Sequence, residues 1–86
     1  MEAFVLLNTE SGLLWKVAES VMAIPGVTMS RAVTGQFDVI IYAEFSRIED
    51  LGAMIEKIQS LHGVVKTQTS IVMPPSSYAL QDESKN

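Results

Sequence analysis

The sequence predicts an α+β domain of the split βαβ type, four strands and two helices in the order β-α-β, β-α-β. Three observations predict it. Two apolar stripes at helical spacing each lie between short strand-like runs. Two turns of one design follow those stripes, Ile24-Pro25-Gly26-Val27 and Leu61-His62-Gly63-Val64. Between the halves, Thr34-Gly35-Gln36-Phe37 has the composition of a reversal.

Taken in order, Ala3 to Asn8 is a short apolar run followed by turn residues, the pattern of a buried strand. Ser11 is placed to cap a helix whose apolar stripe is Leu14, Val17, Ala18 and Val21. Trp15 falls at the edge of that stripe, as a core-boundary aromatic or an interface anchor. Pro25-Gly26 ends the helix. Val27 to Val33 alternates, with Val27, Met29, Arg31 and Val33 on one side. Asp38 to Phe45 returns as a strand rich in β-branched and aromatic residues. Ser46-Arg47-Ile48-Glu49 has capping-box spacing before a helix with Leu51, Met54, Ile55 and Ile58 on one face. Val64 to Met73 forms the last strand, stopped by Pro74-Pro75. Right-handed crossovers then put both helices on one face of a four-stranded antiparallel sheet, a ferredoxin-like βαββαβ arrangement. Residues 1–75 are read as the domain and 76–86 as a polar tail.

Composition narrows the function. The 86 residues suffice for one domain, and 48% hydrophobic with 19% charged is globular. Without cysteine there is no thiol chemistry and no cysteine-rich zinc site, which fits a reducing compartment. A formal charge of −4 argues against direct nucleic-acid binding. The opening apolar run is too short to span a bilayer and carries no basic leader, so the expected location is cytoplasmic. No catalytic or metal motif is present, and His62, the only histidine, sits where a helix ends. No cofactor is expected.

The sheet itself asks for a partner. Helices cover one face, yet both parities of the first and third strands are apolar: Ala3, Val5 and Leu7 against Phe4 and Leu6, then Val39, Ile41 and Ala43 against Ile40 and Tyr42. A standard interface of roughly 800 Å² per partner gains on the order of 20 kcal/mol in gross burial, against about 4–15 kcal/mol for association. A homodimer at least is expected.

The loop Gly35-Gln36-Phe37-Asp38 has the groups to receive a free amino acid. Glycine lets backbone N–H groups approach a carboxylate, Asp38 complements an ammonium, and Phe37 walls a side-chain pocket. Glycine and aspartate are also ordinary turn residues. Thr67 and Thr69 add hydroxyls on one side of the last strand, as ligand contacts or as an edge exposed to solvent.

In this order and spacing, Ile24-Pro25-Gly26-Val27, Val33-Thr34-Gly35-Gln36-Phe37-Asp38 and Leu61-His62-Gly63-Val64 with Thr67-x-Thr69-x-Ile71-Val72 resemble the effector domain of the Lrp/AsnC regulators, the RAM domain. The similarity runs from about Ala3 to Met73. It implies dimers joined through their sheets, octameric rings built from dimers, and amino-acid effectors bound at boundaries between dimers. It carries the ligand role onto Gly35, Gln36, Phe37 and Asp38, and less directly onto Thr67 and Thr69. Relatives in that family carry a helix-turn-helix domain that this sequence lacks before its first strand. The expectation is therefore a non-catalytic, stand-alone module acting on transcription indirectly, with a full-length relative as a further partner. Two rivals stay open: a dimeric α+β barrel enzyme using His62 and Tyr42, and a structural subunit without ligand.

Overall fold

The computed structural model describes residues 1–75; the expected polar tail lies outside the described residues. Strand β1 (Glu2–Thr9) occupies the middle of the sheet, apolar on both faces from Ala3 to Leu7 and without a proline to interrupt either ladder. It pairs antiparallel with β3 (Val39–Glu44) on one side and β4 (Val64–Ile71) on the other. Strand β2 (Val27–Ala32) completes the order β2-β3-β1-β4. Helices α1 (Leu14–Ser20) and α2 (Ile48–Gln59) make the two crossovers. This is the predicted ferredoxin-like architecture.

The core lies between helices and sheet. Val5, Leu7, Val39, Ile41 and Ala43 meet Val17, Ala18, Val21, Met54 and Ile58, while Ala3, Phe45 and Leu51 form a smaller group at one end. Each fully buried Val, Leu or Ile contributes about 1.5–3 kcal/mol by leaving water. Ser30, on the core side of β2, ties the sheet to α1 by donating to the Ala18 carbonyl at 2.7 Å.

The two turns singled out in the sequence share one geometry. Val27 N–H donates to Ile24 O at 3.1 Å, and Val64 N–H donates to Leu61 O at 3.3 Å. Gly26 and Gly63, each third in its turn, have φ of +95° and +100°, as a type II turn requires. His62 is the exposed second residue of its turn.

Four local expectations are corrected. Ser11 does not cap α1: a Glu10–Leu13 turn, closed by Leu13 N–H to Glu10 O at 3.0 Å, absorbs it, and the helix begins after Leu13. The Ser46–Glu49 capping box does not form either. Arg47 holds the N-cap position in extended geometry, and Glu49 turns to the Arg47 guanidinium at 3.3 Å. Strand β2 does not alternate throughout, because its register shifts between Val27 and Met29. Val27 faces the core, but after this bulge Met29 and Arg31 face away from the helices and Ser30 and Ala32 face them. Trp15 is no core-boundary residue: it is 74% exposed.

The turns give a stability test. An added Cβ at Gly26 would stand 2.3 Å from Met54 Cε and 3.0 Å from the Glu44 carbonyl, whereas at Gly35, φ +110°, it meets nothing within 4 Å. Gly26→Ala should lose roughly 2–4 kcal/mol through strain and crowding together, and Gly35→Ala about 1–2 kcal/mol through strain alone. Urea unfolding of the two variants side by side checks the ranking.

Candidate functional site

The loop between β2 and β3 is anchored at its foot and free at its tip. Val33 N–H donates to Asp38 O at 2.8 Å, extending the β2–β3 ladder by one step, and Asp38 N–H donates to the carbonyl of Leu7, the β1 partner of Val39, at 2.8 Å. Asp38 Oδ2 accepts from Thr9 N at 2.8 Å and from Thr9 Oγ1 at 3.3 Å. Asn8 Nδ2 donates to Gln36 O at 2.9 Å. The end of β1 thus staples the loop from two sides. Thr34, Gly35 and Gln36 remain exposed, and Phe37 is half-buried.

Two chemical features follow. Among the described residues, the N–H groups of Gly35, Gln36 and Phe37 donate to no acceptor, so three successive donors stay available at the tip. Asp38, expected to meet an ammonium, already commits one oxygen to Thr9 and keeps the other. It is a staple before it is a ligand contact.

Thr67 and Thr69 sit elsewhere. They pair with Leu7 and Val5, so they share the helix-facing side of edge strand β4, and Thr67 Oγ1 accepts from Gln59 Nε2 of α2 at 3.0 Å. Asp38 and Thr67 flank β1 on opposite sides, roughly 10 Å apart at two strand spacings. One chain brings Gly35, Gln36, Phe37 and Asp38 together and leaves the two threonines apart from them.

Of the two sequence readings of Trp15, core boundary and interface anchor, its 74% exposure leaves only the second. With Leu14, Ala32, Val33 and Thr34 it lines a shallow groove of about 510 Å³ directly before the loop tip. The signal was present: at about 100° per residue, Trp15 points well off the centre of the Leu14–Val17–Ala18–Val21 stripe.

The face turned away from the helices carries Phe4, Leu6, Ile40, Tyr42 and Met29 across β1, β3 and β2. Phe4, 38% exposed, packs against Tyr42 with ring centroids 5.3 Å apart. The Tyr42 hydroxyl donates to Glu2, and Glu44 stands directly across from Glu2. That hydrogen bond first, then desolvation and the negative charges of Glu2 and Glu44, push the Tyr42 pKa up to about 12. Among the described residues, no group of three His, Cys, Asp or Glu side chains is placed to hold a metal ion. Among the described residues, no helix is long and apolar enough to cross a membrane.

A small antiparallel α+β sheet with helices on one face, an uncovered apolar face and an anchored loop of free donors has the surfaces of a binding domain, and the comparisons with known proteins say of which family. The family is the Lrp/AsnC ligand binding domain, whose model matches residues 2–79, and the chain belongs to it. An uncharacterised HTH-type transcriptional regulator of Pyrococcus furiosus is 37% identical over 73 residues, covering 80% of this chain and 49% of the relative. The chain spans about half the length of these curated regulators. A segment of the homocitrate synthase of Sulfurisphaera tokodaii, 16% of that enzyme, is 30% identical over 85% of this chain. Among solved structures, a hypothetical protein from Pyrococcus horikoshii superposes with a TM-score of 0.78 at 32% identity, covering 86% of this chain and 90% of that one. A transcriptional regulator from Neisseria meningitidis, solved in complex with L-Met, superposes with a TM-score of 0.76 at 26% identity, covering 85% of this chain and 49% of that one.

Two measurements test the site. Asp38→Ala leaves the half-buried Thr9 N–H without its acceptor and should lose about 1–3 kcal/mol in urea unfolding. In a Tyr78→Phe background, ultraviolet titration should show Tyr42 ionising near pH 12, and Glu2→Gln should move it back toward 10. The sign follows from the raised folded-state value: this group's contribution to stability is complete below about pH 10 and is lost as pH rises toward 12.

Proposed function

We propose that this domain is an effector-sensing module of transcription regulation: a homodimer, assembling further into rings, that binds a free amino acid at the loop Gly35–Asp38. The observation that carries the reading is the anchored loop tip. Three free N–H groups suit a carboxylate, and the uncommitted oxygen of Asp38 suits an ammonium beside it. Family membership supports a regulatory ligand-binding role, and the L-Met complex of the Neisseria regulator supports the ligand class.

Thr67 and Thr69 join this site only if a neighbouring subunit supplies them, since within one chain they stand across β1 from the loop. That favours a site completed at a boundary between subunits. A full-length regulator of the same family is the partner that would pass the signal to DNA, and such a role is exercised in the cytoplasm. The match to a segment of a synthase supports a control element that works on more than one kind of chain.

Calorimetry with the common amino acids is the test. One or a few should bind the wild type, and Asp38→Asn should weaken binding at least tenfold, since it removes the charge while keeping an oxygen for Thr9 N–H. Failure of every amino acid to bind, or equal binding to the variant, refutes the site. Sedimentation at micromolar concentration should show no stable species near the 9.4 kDa of one chain.

A further inference from the structure

Trp15 is the only tryptophan in the chain, and the helix that carries it leaves it outside the core. Val17 and Ala18 turn inward from α1, Leu14 is half-buried, and the Trp15 indole stays 74% exposed. It does not stand alone. Leu14 and the half-buried Ala32 and Val33 continue its apolar surface to the end of β2, and Thr34 closes the groove of about 510 Å³ between them. None of these five residues carries a charge, and the Thr34 side chain brings the one hydroxyl. Exposed apolar atoms gathered into a concave surface carry information that a scattered exposed leucine does not.

The groove runs straight into the loop. Thr34, its last wall, is followed by Gly35, Gln36 and Phe37, whose N–H groups have no acceptor among the described residues. Asp38 comes next, with one oxygen uncommitted. A zwitterion held there by its carboxylate and ammonium has a side chain left to place, and the groove is the adjacent concave surface to receive it. The lining decides which side chain. A charged group would give up water and find no opposite charge. One as small as a methyl group would leave the indole wet. A large apolar one gains with all the surface it covers, each buried CH₂ being worth roughly fourfold in affinity.

We propose that Trp15 is the specificity-determining residue of the loop site. Its groove takes the side chain of the effector, which is an amino acid of the large apolar class: leucine, isoleucine, methionine or phenylalanine. What Trp15 anchors is a ligand, not a second subunit. This rests on the reading of Gly35–Asp38 as an amino-acid site and adds the side chain that the site selects.

Calorimetry and the fluorescence of the single tryptophan, both on the full chain, test it. Leucine exceeds alanine by three carbons, and an open groove covers about half of their surface. At least one of the four apolar amino acids should therefore bind no less than about fivefold more tightly than alanine, aspartate and lysine. Trp15→Ala should weaken that ligand by a similar factor and alanine less than about twofold, while Trp15→Phe stays within about threefold of wild type. Urea midpoints near wild type show that both variants fold. Asp38→Asn should weaken alanine and the apolar ligand alike. Without ligand, acrylamide should quench Trp15 freely; with ligand, its emission should move to the blue and the quenching fall. Tightest binding of a charged or small amino acid, or a Trp15→Ala variant that treats both ligands alike, overturns the proposal, and a loss in Asp38→Asn then leaves the loop site standing. A Trp15 already shielded from acrylamide without any amino acid means that a neighbouring subunit covers the groove, which also overturns it. If no amino acid binds, or Asp38→Asn changes nothing, the loop site itself falls and this inference with it.

Discussion

Strand β1 carries the molecule. It is hydrogen-bonded on both sides, to β3 and β4, and its odd-numbered side chains Ala3, Val5 and Leu7 are fully buried under the helices. The period of two makes any slip of its register ruinous, since moving one residue would exchange that face for Phe4 and Leu6. The same strand reaches the candidate site. Its last residues, Leu7 to Thr9, receive the foot of the β2–β3 loop through a carbonyl, an amide and a hydroxyl, so the loop's position is decided by core packing several residues away. Loop and hydrophobic core are therefore one mechanical unit.

The elements that were legible in the sequence are those with a strong period or a stereochemical requirement. The Val17–Ala18–Val21 and Leu51–Met54–Ile58 stripes and the Pro25-Gly26 and His62-Gly63 turns all stand where their patterns put them. What failed was local chemistry that competes with a neighbour. Ser11 has the right type for a cap, but a turn from Glu10 to Leu13 takes precedence because it also lets Glu10 N–H reach Gly63 O at 2.8 Å. Ser46 loses to Arg47 by one position, and Glu49 with Asp50 still supplies negative charge to the first turn of α2. The bulge in β2 was invisible because Val27 to Val33 alternates well enough to hide one inserted residue.

The candidate site was half legible for a related reason. Gly35 to Asp38 is contiguous, so its grouping survives folding whatever the tertiary context. Thr67 and Thr69 depend on which strands lie beside β1 and on which side their hydroxyls emerge, and that is knowledge of pairing rather than of pattern. The tie from Asp38 to Thr9 spans 29 residues and has no signature in either segment. It changes the chemistry at stake, since a carboxylate already engaged by a backbone amide is both better fixed and less available.

The bulge at Thr28 has a consequence for how copies of this protein can meet. A four-stranded open sheet has two unpaired borders, each a template for lateral growth into fibres. On the β2 border the extra residue breaks the even spacing of free amides and carbonyls after a single regular step. On the β4 border the charge of Lys66 and the two prolines after Met73 discourage a further strand. With both borders blunted, the sheet resists lateral addition of a further strand at either edge.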